Sequence, residues 1–416
     1  MPKYLDLFAG AGGLSEGFIR AGYEPIAHVE MDAAACYTLR TRMAYHWLKK
    51  GNNLAPYTKY LAGDIPREDF YALVPKEILD SVLNYEMSEE SLPAIFKDID
   101  SLLGGEKLDL IVGGPPCQAY SIAGRSRSEC KMVGDKRNYL YRLYAEFLKK
   151  YQPKYFVFEN VLGLLSARDE DGSLHFDNMR ALFKKCGYAT DFRILNASDY
   201  GVLQNRKRII LIGFHGEKAD FYPQIPVVKD AHKVGELFCD LPSIKAGEGV
   251  ITPVKTTHYT GKYLFSARIK EYDEEPVTFH QARPNTAQDL EIYRIVVDTW
   301  NKSKTRVSYT DLPERLRTHN NTKSFLDRFK VVAGNLPYAQ TVVAHISRDG
   351  HYFIHPDIKQ NRSITPKALI ESGFFFYNED SHVFSVSPDI WSTIDRSNKA
   401  AITRICRQKL KDYYKD

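Results

Sequence analysis

Short apolar runs alternate with stretches of helical periodicity over the first half of the chain. Glycine, proline or polar residues bound each run, as expected for buried strands, and the stretches between them repeat apolar residues at helical spacing. This alternation predicts a mostly parallel sheet covered by helices on both faces, which is an α/β fold. The predicted strands are residues 4–8, 25–30, 108–113, 155–159 and 208–214, and the predicted helices are 14–21, 33–45, 88–105, 141–150 and 178–185.

A different pattern begins near residue 220. Prolines and glycines interrupt the chain, and residues 225–350 are rich in Lys, Arg, His, Tyr and Thr, with few long apolar runs. A strand-like run follows at 351–354, and residues 400–414 have the pattern of an amphipathic helix. We therefore predict a first domain over 1–224, a smaller, irregular domain over 225–350, and a C-terminal segment over 351–416 that returns to the first domain.

Composition narrows the class of protein. The chain has 416 residues, 44% hydrophobic and 26% charged, which is enough for a core and excludes a largely disordered chain. Lys and Arg total 57 against 52 Asp and Glu, giving a net charge of +5. This mild positive excess permits nucleic acid as a partner without requiring it.

No targeting or cross-linking pattern is visible. No apolar run approaches the roughly 20 residues of a membrane helix, and the N-terminus leads straight into the first predicted strand. No C-x-x-C pair occurs among the six cysteines, which are Cys36, Cys117, Cys130, Cys186, Cys239 and Cys406. We expect no membrane association, no disulfide framework and no zinc site, but a cytoplasmic protein with reduced thiols.

A glycine-rich turn follows the first predicted strand, in the sequence DLFAGAGG from Asp6 to Gly13. Ligands of open parallel sheets bind at the carboxyl ends of the strands, and glycines let the backbone approach a nucleotide-like ligand closely. Ser15 stands where the dinucleotide-binding pattern has its third glycine, which argues against a nicotinamide dehydrogenase. Glu30 ends the second strand, where an acid can bind ribose hydroxyls, and Asp64 is predicted to end a third. An ordinary tight turn with two solvated acids is the alternative.

A thiol comes just after the predicted strand at 108–113, in the sequence GGPPCQAYS from Gly113 to Ser121. Two consecutive prolines restrict φ and stiffen this loop, which suits an activated nucleophile. Most free cysteines are small buried hydrophobes, and we assign that role to the other five. The Pro-Pro-Cys-Gln context sets Cys117 apart.

Two further groups follow apolar runs. Glu159, in FENV, can act as an acid or hydrogen-bonding partner at the mouth of a sheet, although a helix N-cap pair is the alternative. Gln204, Arg206 and Arg208 alternate along QNRKR, which puts them on one side of an extended chain. Such a row could grip phosphate or a carbonyl oxygen, with a solvated basic run as the alternative.

The motifs DLFAGxGG, PPCQ, ENV and QxRxR, in this order, resemble those of the DNA (cytosine-5) methyltransferases of bacterial restriction–modification systems. The resemblance runs from residue 4 to about residue 367 and includes QTVVAHI from Gln340 and RSITP from Arg362. It implies a Rossmann-like, S-adenosylmethionine-dependent methyltransferase fold with a target recognition domain at 225–350. It also implies double-stranded DNA as substrate, a companion restriction endonuclease, a monomer and no metal.

The resemblance further implies three groups of site residues. Cys117 would be the nucleophile, Glu159 would hydrogen-bond cytosine N3, and Arg208 would bind cytosine O2, with Arg206 supporting the loop. The methyl donor S-adenosylmethionine would be bound by Phe8, Gly10, Gly12, Gly13, Glu30, Met31, Asp64 and Pro115. DNA would be contacted by Gln118, Ser121, Gln204, Thr341, Val342 and Arg362.

Two alternatives stay open at this point. A transfer-RNA cytosine-5 methyltransferase would use the same Cys117 and Glu159, although the long segment at 225–350 favours duplex readout. The other is a DNA-binding chain that is impaired or partner-dependent. After Pro366 the sequence departs from the family pattern and lacks its final Gly-Asn-x-Val-Pro-Pro motif, which predicts weaker S-adenosylmethionine binding.

Overall fold

The computed structural model describes residues 1–116, 139–218, 220–228, 232–256, 261–267, 269–270, 276–323, 325–341 and 350–366. The helix predicted at 400–414 lies outside these residues. Where a strand is predicted at 351–354, the structure has a 3-10 turn, Gly350–Tyr352, followed by single bridges from Ile354 to Val331 and Ser363, so that prediction is wrong.

A seven-stranded sheet forms the centre of the first region, in the order β3-β2-β1-β4-β5-β7-β6. Its neighbours pair in parallel except for β7, which runs antiparallel to both β5 and β6. The strands are β1 Lys3–Leu7, β2 Glu24–Glu30, β3 Val82–Asn84, β4 Leu110–Gly113, β5 Tyr155–Asn160, β6 Tyr188–Asn196 and β7 Lys207–His215. This confirms the predicted mostly parallel α/β fold.

Helices cover both faces of this sheet. On β1, Leu5 and Leu7 belong to a cluster with the long helices α6, α7 and α8, whereas Tyr4 belongs to a cluster with α1, as the two-residue period of a strand requires. The helices are α1 Gly13–Arg20, α2 Ala33–Lys50, α3 Ala55–Ala62, α4 Arg67–Ala72, α5 Lys76–Asp80, α6 Leu92–Leu103, α7 Leu140–Tyr151 and α8 His175–Lys185. The five strands and five helices whose ranges were predicted for this half are present, but no strand ends at Asp64.

The second region is built from short elements around two apolar clusters. One contains Leu237 and Phe353, and the other is centred on helix α10 and contains Val296 and Ile354. Residues on both sides of 350 therefore pack in the same clusters, and the predicted domain boundaries stay predictions. The elements are strands β8 Gly249–Val250 and β9 His280–Gln281, helices α9 Tyr263–Ser266 and α10 Ala287–Ser303, and 3-10 turns Val234–Phe238, Tyr309–Asp311 and Glu314–Leu316.

Buried polar groups connect the loops of this second region. The Lys270 ammonium lies 3.1 Å from an Asp240 carboxylate oxygen and 2.9 Å from the Thr256 hydroxyl, and both charged side chains are almost fully buried. His280 is also buried and hydrogen-bonds the Thr365 hydroxyl at 3.1 Å. Because burial of an unpaired polar group costs free energy, these contacts select one loop arrangement.

Candidate functional site

The sheet topology gathers the predicted residues at one edge. Leu7, Gly113 and Phe158 are register neighbours on β1, β4 and β5, so the glycine turn and the Pro-Pro loop follow adjacent strands and Glu159 lies in the last two residues of the next strand. Strand β7 begins at the same edge because it is antiparallel. The spacing is tight at Gly113, where an added Cβ would lie 2.6 Å from the Leu7 carbonyl oxygen.

The turn after β1 has left-handed backbone at three positions. Phe8 has φ 55°, Gly10 has φ 53° and Gly12 has φ 84°. A Cβ on Gly12 would lie 2.8 Å from Cδ2 of the buried Leu39. Positive φ is strained for a residue with a side chain, so Phe8 marks a backbone held in place by its surroundings. The chain then enters α1 at Gly13.

Glu30, at the end of β2, organises the backbone around the turn. Its carboxylate accepts from the backbone N–H groups of Gly10 at 2.8 Å, Met31 at 2.9 Å and Asp32 at 2.8 Å. Burial raises the pKa of Glu30, and these three hydrogen bonds oppose the rise. Met31 beside it is 59% exposed, so it presents an apolar side chain at this edge.

A buried hydrogen-bonded network lies beneath the turn, and sequence analysis missed it. The Ser15 hydroxyl hydrogen-bonds the Tyr4 hydroxyl and, at 2.7 Å, Nε2 of His28. All three side chains are buried, and burial lowers the pKa of His28 to about 3, so the imidazole is neutral. Ser15, at the place of the missing third glycine, therefore ties the start of α1 to β1 and β2.

The Pro-Pro loop is fixed by the residue after Glu159. The Asn160 amide donates to the Pro115 carbonyl at 3.2 Å, and its own carbonyl accepts from the Val161 N–H at 2.9 Å. Pro115 and Asn160 are both buried. The ENV motif thus also holds the chain two residues before Cys117. Cys117, Gln118 and Ser121 lie outside the described residues.

A buried ion pair joins β5 and β7. Arg208 Nε lies 2.8 Å from a carboxylate oxygen of Glu159, and the two side chains are only 7% and 8% exposed. Gln204 and Arg206 are fully buried, whereas Asn205 and Lys207 are exposed. The predicted alternation of Gln204, Arg206 and Arg208 on one side of the chain is confirmed, and a solvated basic run is excluded.

Among the described residues, Ala339 and Thr341 of the second region contact this edge. The Thr341 hydroxyl donates to the Asn205 carbonyl, and Gln204 forms a parallel bridge with Ala339. Thr341 therefore lies beside residues 204–208, which lead into β7 and are called the arginine strand below. Val342, the next predicted DNA contact, lies outside the described part of the chain.

The surroundings of two predicted site residues differ from those expected. Asp64 does not end a strand: it is exposed and follows α3, and the strand next to β2 ends at Asn84, whose amide donates to the Glu30 and Met31 carbonyls. Arg362 is 1% exposed, and its guanidinium donates to the Ile244 carbonyl at 2.9 Å and to Gln360 at 2.6 Å. These partners hold the guanidinium inside the second region, and its predicted DNA contact stays a prediction.

The described ranges contain neither a candidate metal site nor a candidate membrane-spanning helix. Within them, no three or more His, Cys, Asp or Glu side chains are grouped as a metal site would need. No helix in the described portion combines the length and apolar character required to cross a membrane.

Comparison with known proteins gives a consistent picture. Residues 2–72 and 84–370 match the family described as C-5 cytosine-specific DNA methylase. The Type II methyltransferase M.Bpa9945I of Bacillus paralicheniformis is 36% identical over 400 residues, covering 87% of this chain and 88% of its own. M.NgoPII of Neisseria gonorrhoeae, also a Type II methyltransferase, is 32% identical over 290 residues, covering 66% of this chain and 70% of its own.

One solved structure supports the fold. The crystal structure of a putative DNA modification methyltransferase encoded within a prophage, from E. coli, aligns over 100% of both chains with a TM-score of 0.57. Its sequence identity is 19%, so this likeness shows the fold alone.

Proposed function

The chain belongs to the C-5 cytosine-specific DNA methylase family and is a methyltransferase of the restriction–modification type, and we propose that it methylates C5 of a flipped-out cytosine in a specific double-stranded DNA sequence. S-adenosylmethionine would be the donor and Cys117 the nucleophile. The observation that carries this proposal is the buried Glu159–Arg208 pair, two strands from the glycine turn and beside the strand that leads to Cys117.

The described residues fit S-adenosylmethionine. The left-handed turn at Phe8, Gly10 and Gly12 brings bare backbone to the strand ends, and Gly12 leaves no room for a Cβ. Glu30 gives this edge a carboxylate suited to ribose hydroxyls, and Met31 gives it an exposed apolar surface suited to adenine. The bound donor would supply a methyl group activated by a positively charged sulfur.

Catalysis would begin with the addition of the Cys117 thiolate to C6 of the cytosine. This step forms the S–C6 bond and turns the ring into an enamine, which makes C5 nucleophilic. A proton from the Glu159 carboxyl at N3 would balance the charge, and Arg208 would stabilise negative charge at O2. C5 would then take the methyl group and lose its proton to a base, the S–C6 bond would break to release the Cys117 thiolate, and the N3 proton would return to Glu159.

The target atom is out of reach inside a duplex, so the cytosine must be flipped out. The second region would read the surrounding sequence, and the hydrogen bond from Thr341 to Asn205 supports this role. We further propose that the protein is a monomer, and that it protects host DNA from a companion restriction endonuclease.

Neither alternative is favoured. The family is described as a DNA methylase and the two named relatives are Type II methyltransferases, which argues against transfer RNA as the substrate. The match also spans the DLFAGxGG, PPCQ, ENV and QxRxR motifs, which argues against a chain that only binds DNA.

Transfer of radiolabelled methyl groups from S-adenosylmethionine tests the proposal directly. Incubation with genomic DNA lacking the modification should label C5 of cytosine at recurring sites, and transfer RNA should stay unlabelled. Labelling of transfer RNA alone, or no labelling of DNA by the wild type beyond that by Cys117→Ala, would contradict it.

A further inference from the structure

A single amide at the end of β6 holds the strand that carries the site arginines. Asn196 Oδ1 accepts from the backbone N–H of Arg206 at 2.8 Å, and Asn196 Nδ2 donates to Oδ1 of Asn205 at 2.9 Å. The next residue, Ala197, donates its N–H to the Arg206 carbonyl at 2.9 Å. Arg206 is thus bound through both its backbone groups, two residues before Arg208.

The orientation of this amide is set by the backbone. An N–H can only donate, so the Asn196 carbonyl must face Arg206, and its NH₂ group must face Asn205. Asn205 then presents its side-chain oxygen. A residue at 196 must therefore offer an acceptor and a donor in fixed directions, which an aliphatic side chain cannot do.

Asn205 in turn joins the second region. Its N–H donates to the Ala339 carbonyl at 2.9 Å, and its carbonyl accepts from the Thr341 hydroxyl. The Ala339 N–H donates to the Leu203 carbonyl at 2.9 Å, which completes a short ladder between the two segments. Movement of Asn205 would therefore affect both the arginine strand and residues 339–341 of the second region.

We infer that Asn196 is a positioning residue that couples the arginine strand to residues 339–341 of the second region. The inference rests on the proposed function for its effect on rate. Asn196 itself binds neither substrate nor donor. It holds Arg206 and Asn205 in place. Residues 339–341 and Arg208, the proposed base-binding residue, therefore keep a fixed position relative to each other.

Single-turnover methyl transfer tests the role of Asn196 in catalysis. Asn196→Ala removes both hydrogen bonds and should slow the rate about tenfold, with the KM for S-adenosylmethionine and the unfolding midpoint little changed. Asn205→Asp keeps an acceptor towards Asn196 and should stay within about twofold of the wild type. Thr190→Val is the matched control, because Thr190 also makes a side-chain hydrogen bond on β6, at 3.1 Å to Arg180, but at the far end of the strand.

A double-mutant cycle tests whether Asn196 and Asn205 act as a unit. Asn205→Ala added to Asn196→Ala should lower the rate little further, because the bond between them is already lost. Fully multiplicative effects, or an Asn196→Ala rate equal to that of Thr190→Val, would overturn the inference while leaving the proposed function standing.

Amide hydrogen exchange separates the two proposals. In Asn196→Ala, peptides spanning 203–206 and 337–341 should exchange about tenfold faster than in the wild type, whereas peptides from α8 should not change. This readout needs no activity, so it decides the coupling even if the wild type fails to methylate DNA. Unchanged exchange at 337–341 would overturn the coupling.

Discussion

Each region of the molecule contains a buried ion pair, and the two pairs have different surroundings. Arg208 and Glu159 lie 2.8 Å apart at the edge of the sheet where the glycine turn and the Pro-Pro loop also end. Lys270 and Asp240 lie 3.1 Å apart in the second region, where Thr256 is a further partner of the ammonium.

The difference teaches what each buried charge is for. A charge pair costs free energy to desolvate, and a hydrophobic replacement is often as stable. In the proposed mechanism the pair at the sheet edge would have a chemical use that offsets this cost, because its members would face the flipped base. The pair in the second region has no such neighbour among the described residues, so its role is to fix the arrangement of loops.

Loss of the proposed nucleophile should have the largest effect on methyl transfer and the smallest effect on the folded structure. Cys117→Ala should abolish methyl transfer, because no other group can form the C6 bond, while DNA and S-adenosylmethionine binding stay near the wild-type level. Methyl transfer and calorimetric titration would be measured side by side. C5 methylation at a normal rate in this variant would refute the mechanism.

Breaking the Glu159–Arg208 pair at the sheet edge should slow methyl transfer. Glu159→Gln removes the proton for N3, and Arg208→Ala removes a donor to O2, so each should lower the single-turnover rate by about 100- to 1,000-fold. Lys207→Ala, an exposed neighbour on the same strand, serves as the control. Near-normal turnover in either variant would remove that residue from the chemistry.

Breaking the Lys270–Asp240 pair in the second region should destabilise the folded protein. Lys270→Met leaves Asp240 buried without its countercharge and should lower the free energy of unfolding by about 3–5 kcal/mol. The double variant Lys270→Met with Asp240→Asn should recover much of this loss, since no isolated charge is left. Denaturant titrations measure both, and an unchanged midpoint in Lys270→Met would show that the pair does not hold the loops.

Each region also contains a histidine kept neutral by burial, which permits a comparison in acid. Burial lowers the pKa of His28 to about 3 and that of His355 to about 2, against about 6.5 in an unfolded chain. The unfolded chain alone gains these protons as the pH falls below about 6.5, so stability is lost on acidification. From pH 7 to pH 5 each histidine should account for about 2 kcal/mol of the loss.

Variants of the two histidines show which region accounts for the loss of stability in acid. His355→Asn keeps an acceptor for the Asp357 N–H, and His28→Gln keeps an acceptor for Ser15, but neither titrates. Each variant should be less sensitive to pH than the wild type when unfolding is followed between pH 5 and pH 7. An unaltered pH dependence in both would place the acid sensitivity elsewhere.

Sequence analysis succeeded where a physical signal is local. The central strands are buried on both faces and read as continuous apolar runs, and glycine and proline mark where they end. The alternation of Gln204, Arg206 and Arg208 was visible for the same reason, since a strand has a period of two. These signals were enough to predict the first region and the edge at which its motifs meet.

The failures have physical causes as well. Strand β3 has only three residues, and β6 is a half-exposed edge strand, so neither produces a clear apolar pattern. Helix α10 did carry a local signal, a Thr286–Asp289 capping box before its apolar positions, and it was overlooked. The enclosure of Arg362 has no such signal, because its guanidinium binds the Ile244 carbonyl, 118 residues away in sequence.

The close approach of β1 and β4 also limits how the gene can vary. Every missense change at codon 113 would add a Cβ only 2.6 Å from the Leu7 carbonyl oxygen and 3.0 Å from the Tyr144 ring, directly below the glycine turn and the Pro-Pro loop. Gly51, where a Cβ would meet only ordinary contacts from 3.5 Å outward, has no such restriction. In a random library selected for methylated DNA, codon 113 should show synonymous changes alone, while codon 51 accepts many amino acids.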